Sequence, residues 1–206
     1  MLTMECLRPS HRSSKIMLKI IKRIFDLMFS FIFLFILFIP MILIAGVIKL
    51  SSAGPIIFWS DRIGFNNELF RMPKFRTMKL ETPNVATHLL PNPNQYRTTV
   101  GIFLRKTSLD ELPQLISILS GDMSFVGPRP ALFNQEDLIQ LRTHYGIQKL
   151  VPGLTGWAQI NGRDELPIPE KVKFDYEYLL KNSFWFDLKI LWLTLIKVIS
   201  NDGVTH

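Results

Sequence analysis

The chain has 206 residues, with 24 lysines and arginines against 17 aspartates and glutamates and a formal charge of +7. This length allows one ordinary catalytic domain and a membrane element, but excludes two large independent cores. The excess positive charge predicts an anionic partner, such as a nucleotide, an anionic lipid or a nucleic acid. The single cysteine, Cys6, excludes an intrachain disulfide, so the fold does not depend on an oxidising compartment.

The chain begins with a basic amphipathic segment, 1–23, followed by an apolar run without a charged residue over 27–48. A helix of about 20 apolar residues crosses the hydrocarbon core of a bilayer. Residues 24–50 are therefore predicted to form a membrane helix. The basic flank predicts that the amino terminus stays in the cytoplasm.

Pro40 interrupts the apolar run and predicts a kink, because proline removes one helical hydrogen bond. A straight span would export everything after Lys49. A helix that turns back at Pro40 would instead leave the rest of the chain in the cytoplasm. From the residues alone, a kinked single span and a re-entrant helix both remain open.

Residues 51–206 are predicted to form a cytosolic catalytic domain. Two short stretches, 55–59 and the region around Leu69, have the composition of strands. Apolar residues recur at helical spacing over 102–119 and 138–150. The predicted fold class is α/β and mostly helical, with a minor β element and surface-lying amphipathic helices.

The final stretch, 178–199, alternates bulky apolar residues, including Trp185 and Trp192, with lysines and an aspartate. This pattern predicts an amphipathic interfacial helix with tryptophans suited to the boundary between lipid and water. The alternative is an ordinary helix that packs its apolar face against the protein core.

Two adjacent carboxylates, Asp110 and Glu111, lie where a helix is predicted to begin. Ser108 and Glu111 have the spacing of a capping box, in which Glu111 would bind backbone amides and neither carboxylate would be catalytic. Alternatively, a carboxylate there holds Mg²⁺ beside a bound phosphate or attacks phosphorus. Adjacent Arg105 and Lys106 would attract an anionic substrate.

Three further basic clusters lie beside proline or glycine, whose backbone can hold a guanidinium in a fixed place. The planar guanidinium fork matches two phosphate oxygens, so the clusters together predict a diphosphate substrate. No metal-ligand spacing, P-loop, dinucleotide fingerprint or nucleic-acid motif is present, so zinc, kinase, Rossmann and nucleic-acid functions lack support. The clusters are Arg71, Lys74 and Arg76; Arg129; and Arg163.

Over about 22–199 the chain resembles the bacterial sugar transferases, also called monotopic phosphoglycosyl transferases. The resemblance rests on several long motifs that occur in the family's order. They are Lys74-Phe75-Arg76-Thr77-Met78, Arg105-Lys106-Thr107-Ser108-Leu109-Asp110-Glu111-Leu112-Pro113-Gln114-Leu115, Gly121-Asp122-Met123-Ser124-Phe125-Val126-Gly127-Pro128-Arg129-Pro130 and Pro152-Gly153-Leu154-Thr155-Gly156-Trp157-Ala158-Gln159-Ile160-Asn161-Gly162-Arg163.

The resemblance implies a re-entrant helix in the bacterial inner membrane, with the catalytic domain facing the cytoplasm. It implies that Asp110 attacks the β-phosphate of a UDP-sugar, which releases UMP and leaves a phosphosugar on the enzyme. Polyprenyl phosphate, such as undecaprenyl phosphate, would then accept that group. Mg²⁺, with Asp110 as a ligand, would neutralise the phosphates, and Glu111 would assist with metal or proton handling.

Membrane lipid is a further expected partner, a homodimer is possible, and no nucleic acid is expected. The sugar and the pathway, whether lipopolysaccharide, capsule, exopolysaccharide or glycoprotein, remain open. The residues expected to contact phosphate or uridine are Lys74, Arg76, Arg105 and Arg129, with Gln159, Asn161 and Arg163 as further candidates.

Two positions depart from the family pattern. Ile39 precedes Pro40 where many members have serine, and Asn67-Glu68 stands where members often have Gly-Lys. Two other hypotheses are a non-catalytic, membrane-tethered scaffold and a glycosyltransferase that releases UDP. The intact pair of Asp110 and Glu111 argues against the scaffold, and the released nucleotide distinguishes the two enzymes.

Overall fold

The structure is a computed structural model that describes residues 9–83, 92–162 and 166–200. Most of these residues are helical, as predicted, and two small sheets complete the fold. The helices are α1 (Pro9–Ser51), α2 (Thr99–Lys106), α3 (Gln114–Ser120), α4 (Glu136–His144), α5 (Trp157–Asn161), α6 (Ile168–Lys181) and α7 (Phe184–Ser200). The strands are β1 (Ile57–Ile63), β2 (Leu69–Phe75), β3 (Ser124–Val126), β4 (Ala131–Leu132) and β5 (Gly153–Thr155).

The larger sheet is antiparallel and has the order β2-β1-β4, with Ile57 opposite Phe75. The turn between β1 and β2 contains Asn66 and Asn67 at positive φ, a conformation that asparagine tolerates better than most residues. The first strand was predicted too early, since it starts after Pro55 and extends to Ile63. Strands β3 and β5 form a separate parallel pair.

Helix α1 contains Pro40 and includes the predicted membrane segment 24–50. Within the described residues, Ile16–Ser51 is the one helical stretch that is long and apolar enough to cross a membrane. Only 6% of its most apolar 18-residue stretch is buried against the protein, and Phe31 and Phe35 are largely exposed. A core helix of a soluble protein would be mostly buried, so this exposure favours association of α1 with a membrane.

The amino-terminal flank of the apolar segment is fastened to the catalytic domain by charged side chains. Lys22 donates to the Val126 carbonyl at 2.7 Å and to the Tyr178 hydroxyl at 2.9 Å, and pairs with Asp187 at 2.6 Å. Arg23 donates to two carbonyls in the last turn of α3, at 2.6 and 2.7 Å. These bonds satisfy helix-end carbonyls that would otherwise lack partners.

The carboxyl-terminal flank of α1 reaches the same domain at a different place. Ile48 is buried in a cluster with Phe75 of β2 and Leu104 of α2. The Arg76 guanidinium donates to the carbonyl and hydroxyl oxygens of Ser52 at 2.9 and 2.7 Å. Both ends of the apolar segment therefore rest on one small domain.

The stretch predicted as one helix over 102–119 is divided into α2 and α3. Ser108, between them, has a positive φ of 57° and ends the first helix. The helix predicted over 138–150 is α4, which stops at His144 because Gly146 adopts a left-handed conformation soon after. Apolar spacing continues across both breaks and does not reveal them.

The helix predicted over 178–199 corresponds to α7 and to the last residues of α6, which already starts at Ile168, so the predicted boundary at Tyr178 was wrong. Asn182 has extended backbone angles, and the Ser183 hydroxyl accepts from the Phe186 amide at 3.2 Å. Asparagine and serine compete with helical hydrogen bonds and favour caps, which explains the break.

Helix α7 combines the two alternatives considered for it. Ile190 is fully buried in the main core cluster, where Leu191 packs beside it. Trp185 and Trp192 are 79% and 63% exposed, so a second apolar face is left open to the surroundings.

Candidate active site

The two carboxylates lie on a single helical turn, Leu109–Glu111, between α2 and α3. Ser108 precedes this turn in a left-handed conformation, which costs a non-glycine residue about 1–3 kcal/mol. Its side chain makes no capping hydrogen bond, so the predicted capping box is not formed. The turn instead directs Glu111 towards cations on neighbouring elements.

Glu111 binds two of the predicted basic residues through one oxygen. Its Oε1 accepts from Lys74 Nζ at 2.8 Å and from Arg129 Nη2 at 3.0 Å. Burial by itself would raise the pKa of Glu111, but the charges of Lys74 and Arg129 outweigh it and hold the pKa well below its usual range. Glu111 is therefore ionised and fixes a cation from β2 beside one from the loop after β3.

Asp110 is 7% exposed and lies among the same charges. Burial raises the pKa of Asp110 to about 6, while Lys74 pulls the pKa down and Glu111 pushes it up. The next contributions come from Arg105 and Arg129, which both lower the pKa. Asp110 is thus a partly desolvated carboxylate surrounded by cations, an environment typical of functional sites.

Arg105 approaches the pair from α2. Its Nε donates to the Thr77 hydroxyl at 2.9 Å, and its Nη2 lies 3.2 Å from the Met78 sulfur. Burial lowers the pKa of Arg105 and the Asp110 charge opposes this shift. The guanidinium remains charged because its pKa lies far above neutrality in any protein environment.

Two arginines of this basic region were not predicted as site residues. Arg62 donates to Ser60 at 2.9 Å and to the Pro130 carbonyl at 3.1 Å, and its charge acts on Lys74. The alternation of side chains along β1 places Arg62 on the same sheet face as Lys74, a signal that the sequence contains once the strand is known. Arg97 is the second, and its charge acts on Arg105.

The main chain of Arg129 is held by a buried ion pair. Arg142 Nη1 donates to the Arg129 carbonyl at 2.8 Å, while its Nε and Nη2 donate to Asp175 Oδ2 at 3.0 and 2.6 Å. Arg142 and Asp175 are 8% and 1% exposed. The pair joins α4 to α6 and fixes the loop that presents Arg129 to Glu111.

The remaining predicted contacts lie elsewhere. Both terminal nitrogens of Arg76 bind oxygens of Ser52 and Ala53, so Arg76 fastens the end of α1 and does not join the carboxylates. On α5, Gln159 donates to the Leu154 carbonyl at 3.4 Å, and exposed Asn161 donates to the Trp157 carbonyl at 2.8 Å. Arg163 lies outside the described residues. Of the predicted cations, the structure brings Lys74, Arg105 and Arg129 to Asp110 and Glu111.

Within the described part of the chain, no three histidine, cysteine or acidic side chains lie together as a metal cage. Glu111 is already bound to two cations, which leaves Asp110 as the available carboxylate. Mg²⁺ is often held by one or two carboxylates together with substrate phosphates. The residues at this site can therefore hold a metal ion only together with the phosphates of a bound substrate.

Residues 17–201 match the family model described as bacterial sugar transferase. UDP-glucose:undecaprenyl-phosphate glucose-1-phosphate transferase of Escherichia coli (strain K12) is 44% identical over 193 residues, which cover 90% of this chain and 41% of that protein. An uncharacterized sugar transferase of Bacillus subtilis (strain 168) is 39% identical over 189 residues, which cover 90% of each chain. The exopolysaccharide production protein ExoY of Rhizobium meliloti (strain 1021) is 36% identical over 198 residues, which cover 88% of this chain and 87% of that protein.

This chain therefore spans about two fifths of the Escherichia coli relative and most of the Bacillus subtilis and Rhizobium meliloti ones. The family match includes the turn with both carboxylates, the cations that surround them and the buried ion pair behind Arg129. The chain belongs to the bacterial sugar transferase family.

Proposed function

We propose that this protein transfers a sugar-1-phosphate from a UDP-sugar to undecaprenyl phosphate through a covalent phosphosugar on Asp110, with release of UMP. The observation that carries the proposal is the buried Asp110 carboxylate among Lys74, Arg105 and Arg129. Several relatives are named as undecaprenyl-phosphate glucose phosphotransferases, which supports this acceptor.

In the first step, an Asp110 oxygen attacks the β-phosphorus of the donor. A new bond forms between that oxygen and phosphorus, and the bond from the β-phosphorus to the oxygen bridging the α-phosphate breaks, so UMP leaves. In the second step, an oxygen of undecaprenyl phosphate attacks the same phosphorus and the Asp110 carboxylate departs. Phosphoryl transfer depends mainly on positioning and charge neutralisation, which the surrounding cations supply.

Glu111 acts as a positioning group in this mechanism. Its low pKa leaves it without a proton to give at neutral pH, and its oxygen holds Lys74 and Arg129 beside the reacting phosphate. Asp110 and the donor phosphates would hold Mg²⁺, which would supply further neutralisation of the diphosphate charge.

We further propose that α1 is re-entrant and that residues 51–206 face the cytoplasm at the inner membrane. The support is the docking of both flanks of the apolar segment, at Lys22 and at Ile48, on one domain. A straight span would separate the flanks by a hydrocarbon core of about 30 Å. The exposed Trp185 and Trp192 of α7 and Phe103 of α2 are suited to the interface.

The released nucleotide tests the proposed reaction. The protein is held in nanodiscs with Mg²⁺, undecaprenyl phosphate and a panel of UDP-sugars, and the products are separated by ion-exchange chromatography. The proposal predicts UMP, in an amount equal to the lipid-linked sugar phosphate that forms. Release of UDP would instead indicate an ordinary glycosyltransferase. The absence of turnover with any donor would favour the non-catalytic scaffold.

The pH dependence of the donor step follows from the raised pKa of Asp110, which is about 6. Below that pH the carboxylate binds a proton and loses its nucleophilicity, so the rate is expected to fall about tenfold for each pH unit. Removing the Lys74 charge, as in Lys74→Met, raises the pKa of Asp110 and moves the acidic limb to higher pH. The pre-steady-state rate of UMP release, measured between pH 4.5 and 8 in steps of about half a pH unit, gives the midpoint of this acidic limb.

The matched control is Lys79→Met, which removes an exposed positive charge five residues along the chain. It is expected to leave the midpoint in place. A midpoint unchanged in Lys74→Met, or equally moved in both variants, would contradict the assignment of the limb to Asp110.

A further inference from the structure

Two arginines meet around the segment that follows β2. Arg105 is bonded to the side chains of Thr77 and Met78. Arg97 forms an isolated β-bridge with Met78, which brings its backbone to the same place. Thr98, the next residue, donates its amide to the Thr77 carbonyl at 3.1 Å.

One buried nitrogen of the Arg97 guanidinium, Nε, has no acceptor among the described residues. After burial and the opposing charge of Asp110, Arg97 is the next influence on Arg105, and it lowers the pKa of that group. Two neighbouring guanidinium groups repel each other unless an anion lies between them, and a phosphate accepts from both.

These arginines form a group distinct from the cations held by Glu111. Lys74 and Arg129 bind Glu111 from β2 and from the loop after β3. Arg97 instead precedes α2, Arg105 lies in its last turn, and both contact Met78. Asp110 lies within the electrostatic reach of Lys74 and Arg129 and also of Arg105.

The second group lies near exposed apolar residues. Leu80, Ile102 and Phe103 are 63%, 51% and 58% exposed, and all three are within five residues of Arg105 or Met78 in sequence. Leu104 packs against Ile48, near the end of the apolar segment of α1. A ligand that carries both a phosphate and a long hydrocarbon chain fits this combination.

We propose that Arg97 and Arg105 form the site for the phosphate of the polyprenyl acceptor, while Lys74 and Arg129 serve the diphosphate of the donor. This inference rests on the proposed function and assigns its two substrates to different cations around Asp110. Acceptor phosphate held at this site lies next to the carboxylate that carries the phosphosugar. The same phosphate chemistry occurs in the donor, so the test separates the two half-reactions.

The test uses Arg97→Leu in nanodiscs. Its UMP burst without acceptor is compared with its turnover over a range of undecaprenyl phosphate concentrations. We expect the acceptor KM to rise about tenfold or more, because a charge-assisted bond to phosphate is lost, while the UMP burst stays near that of the unmodified protein. Arg97→Lys retains the charge but loses the planar fork, and its acceptor KM is expected to lie between the other two.

Lys79→Leu is the control, since it removes a nearby exposed charge without touching either arginine. Its acceptor KM is expected to be unchanged, and an equal rise in both variants would overturn the inference in favour of general surface attraction. Loss of the burst in Arg97→Leu with a normal acceptor KM would assign the site to the donor. If Arg97→Leu fails to fold, an acceptor KM in Arg97→Lys equal to that of the unmodified protein would overturn the inference. Absence of any UMP burst from the unmodified protein would contradict the proposed function itself.

Discussion

Asp110→Asn is expected to abolish sugar-phosphate transfer and leave the protein folded. The amide has the size of the carboxylate but cannot form the proposed bond to phosphorus, so the rate should fall by at least about 10⁴-fold. Burial already disfavours the ionised form of Asp110 and raises its pKa to about 6. Removal of this charge at pH 7 is therefore expected to keep or increase the thermal unfolding midpoint.

Asp137→Asn provides the matched control, because Asp137 is exposed on α4. It is expected to retain both the rate and the unfolding midpoint. Residual transfer by Asp110→Asn that clearly exceeds about 10⁻⁴ of the normal rate would exclude Asp110 as the nucleophile. A lowered midpoint would instead show that its carboxylate stabilises the fold.

Arg142→Leu is expected to cause the largest loss of stability among single changes at the site. It leaves the Asp175 carboxylate, 1% exposed, without the partner that binds it at 2.6 Å. Breaking one side of a buried ion pair costs about 3–5 kcal/mol of unfolding free energy. For a chain of this size, that loss lowers the thermal midpoint by about 6–20 °C. Differential scanning fluorimetry of the nanodisc-held protein measures it.

The double variant, Arg142→Leu with Asp175→Leu, separates stability from positioning. Replacing both charges with apolar groups removes the unpaired carboxylate, so most of the thermal midpoint should return. Transfer should stay low, because the Arg129 carbonyl has lost the bond from Arg142. Full recovery of activity with stability would show that the pair acts only on folding.

The sequence predicts the two carboxylates and the nearest cations because these residues lie in short, dense motifs. Lys74 lies next to proline and Arg129 between two prolines, and stiff backbone of this kind holds a charged side chain in one place. The structure brings both side chains to Glu111. Local chain stiffness and charge were therefore enough to predict that these charged side chains lie together.

Other contacts near the site depend on tertiary packing. Arg76 belongs to the same motif as Lys74, but it lies just beyond the end of β2 and binds Ser52 after α1. Arg142 and Asp175 are 33 residues apart in sequence, and their pair has no local signature. Such contacts follow from how helices pack, which a single sequence does not specify.

Apolar spacing limited how accurately the helix boundaries could be predicted. Apolar spacing predicts the core positions of α2, α3 and α7, but it passes unchanged through Ser108 and through Asn182 and Ser183. At these points short polar side chains and backbone conformation outweigh helix periodicity. The break at Ser108 is important for the candidate site, because it forms the turn that carries Asp110.

The covalent intermediate on Asp110 is tested by the mass of the protein after incubation with Mg²⁺ and its UDP-sugar donor in the absence of acceptor. We expect an increase equal to one sugar phosphate, located by peptide mapping on Asp110, that disappears when undecaprenyl phosphate is added. An unmodified protein that still completes transfer when acceptor is present, or an adduct on another residue, would contradict it.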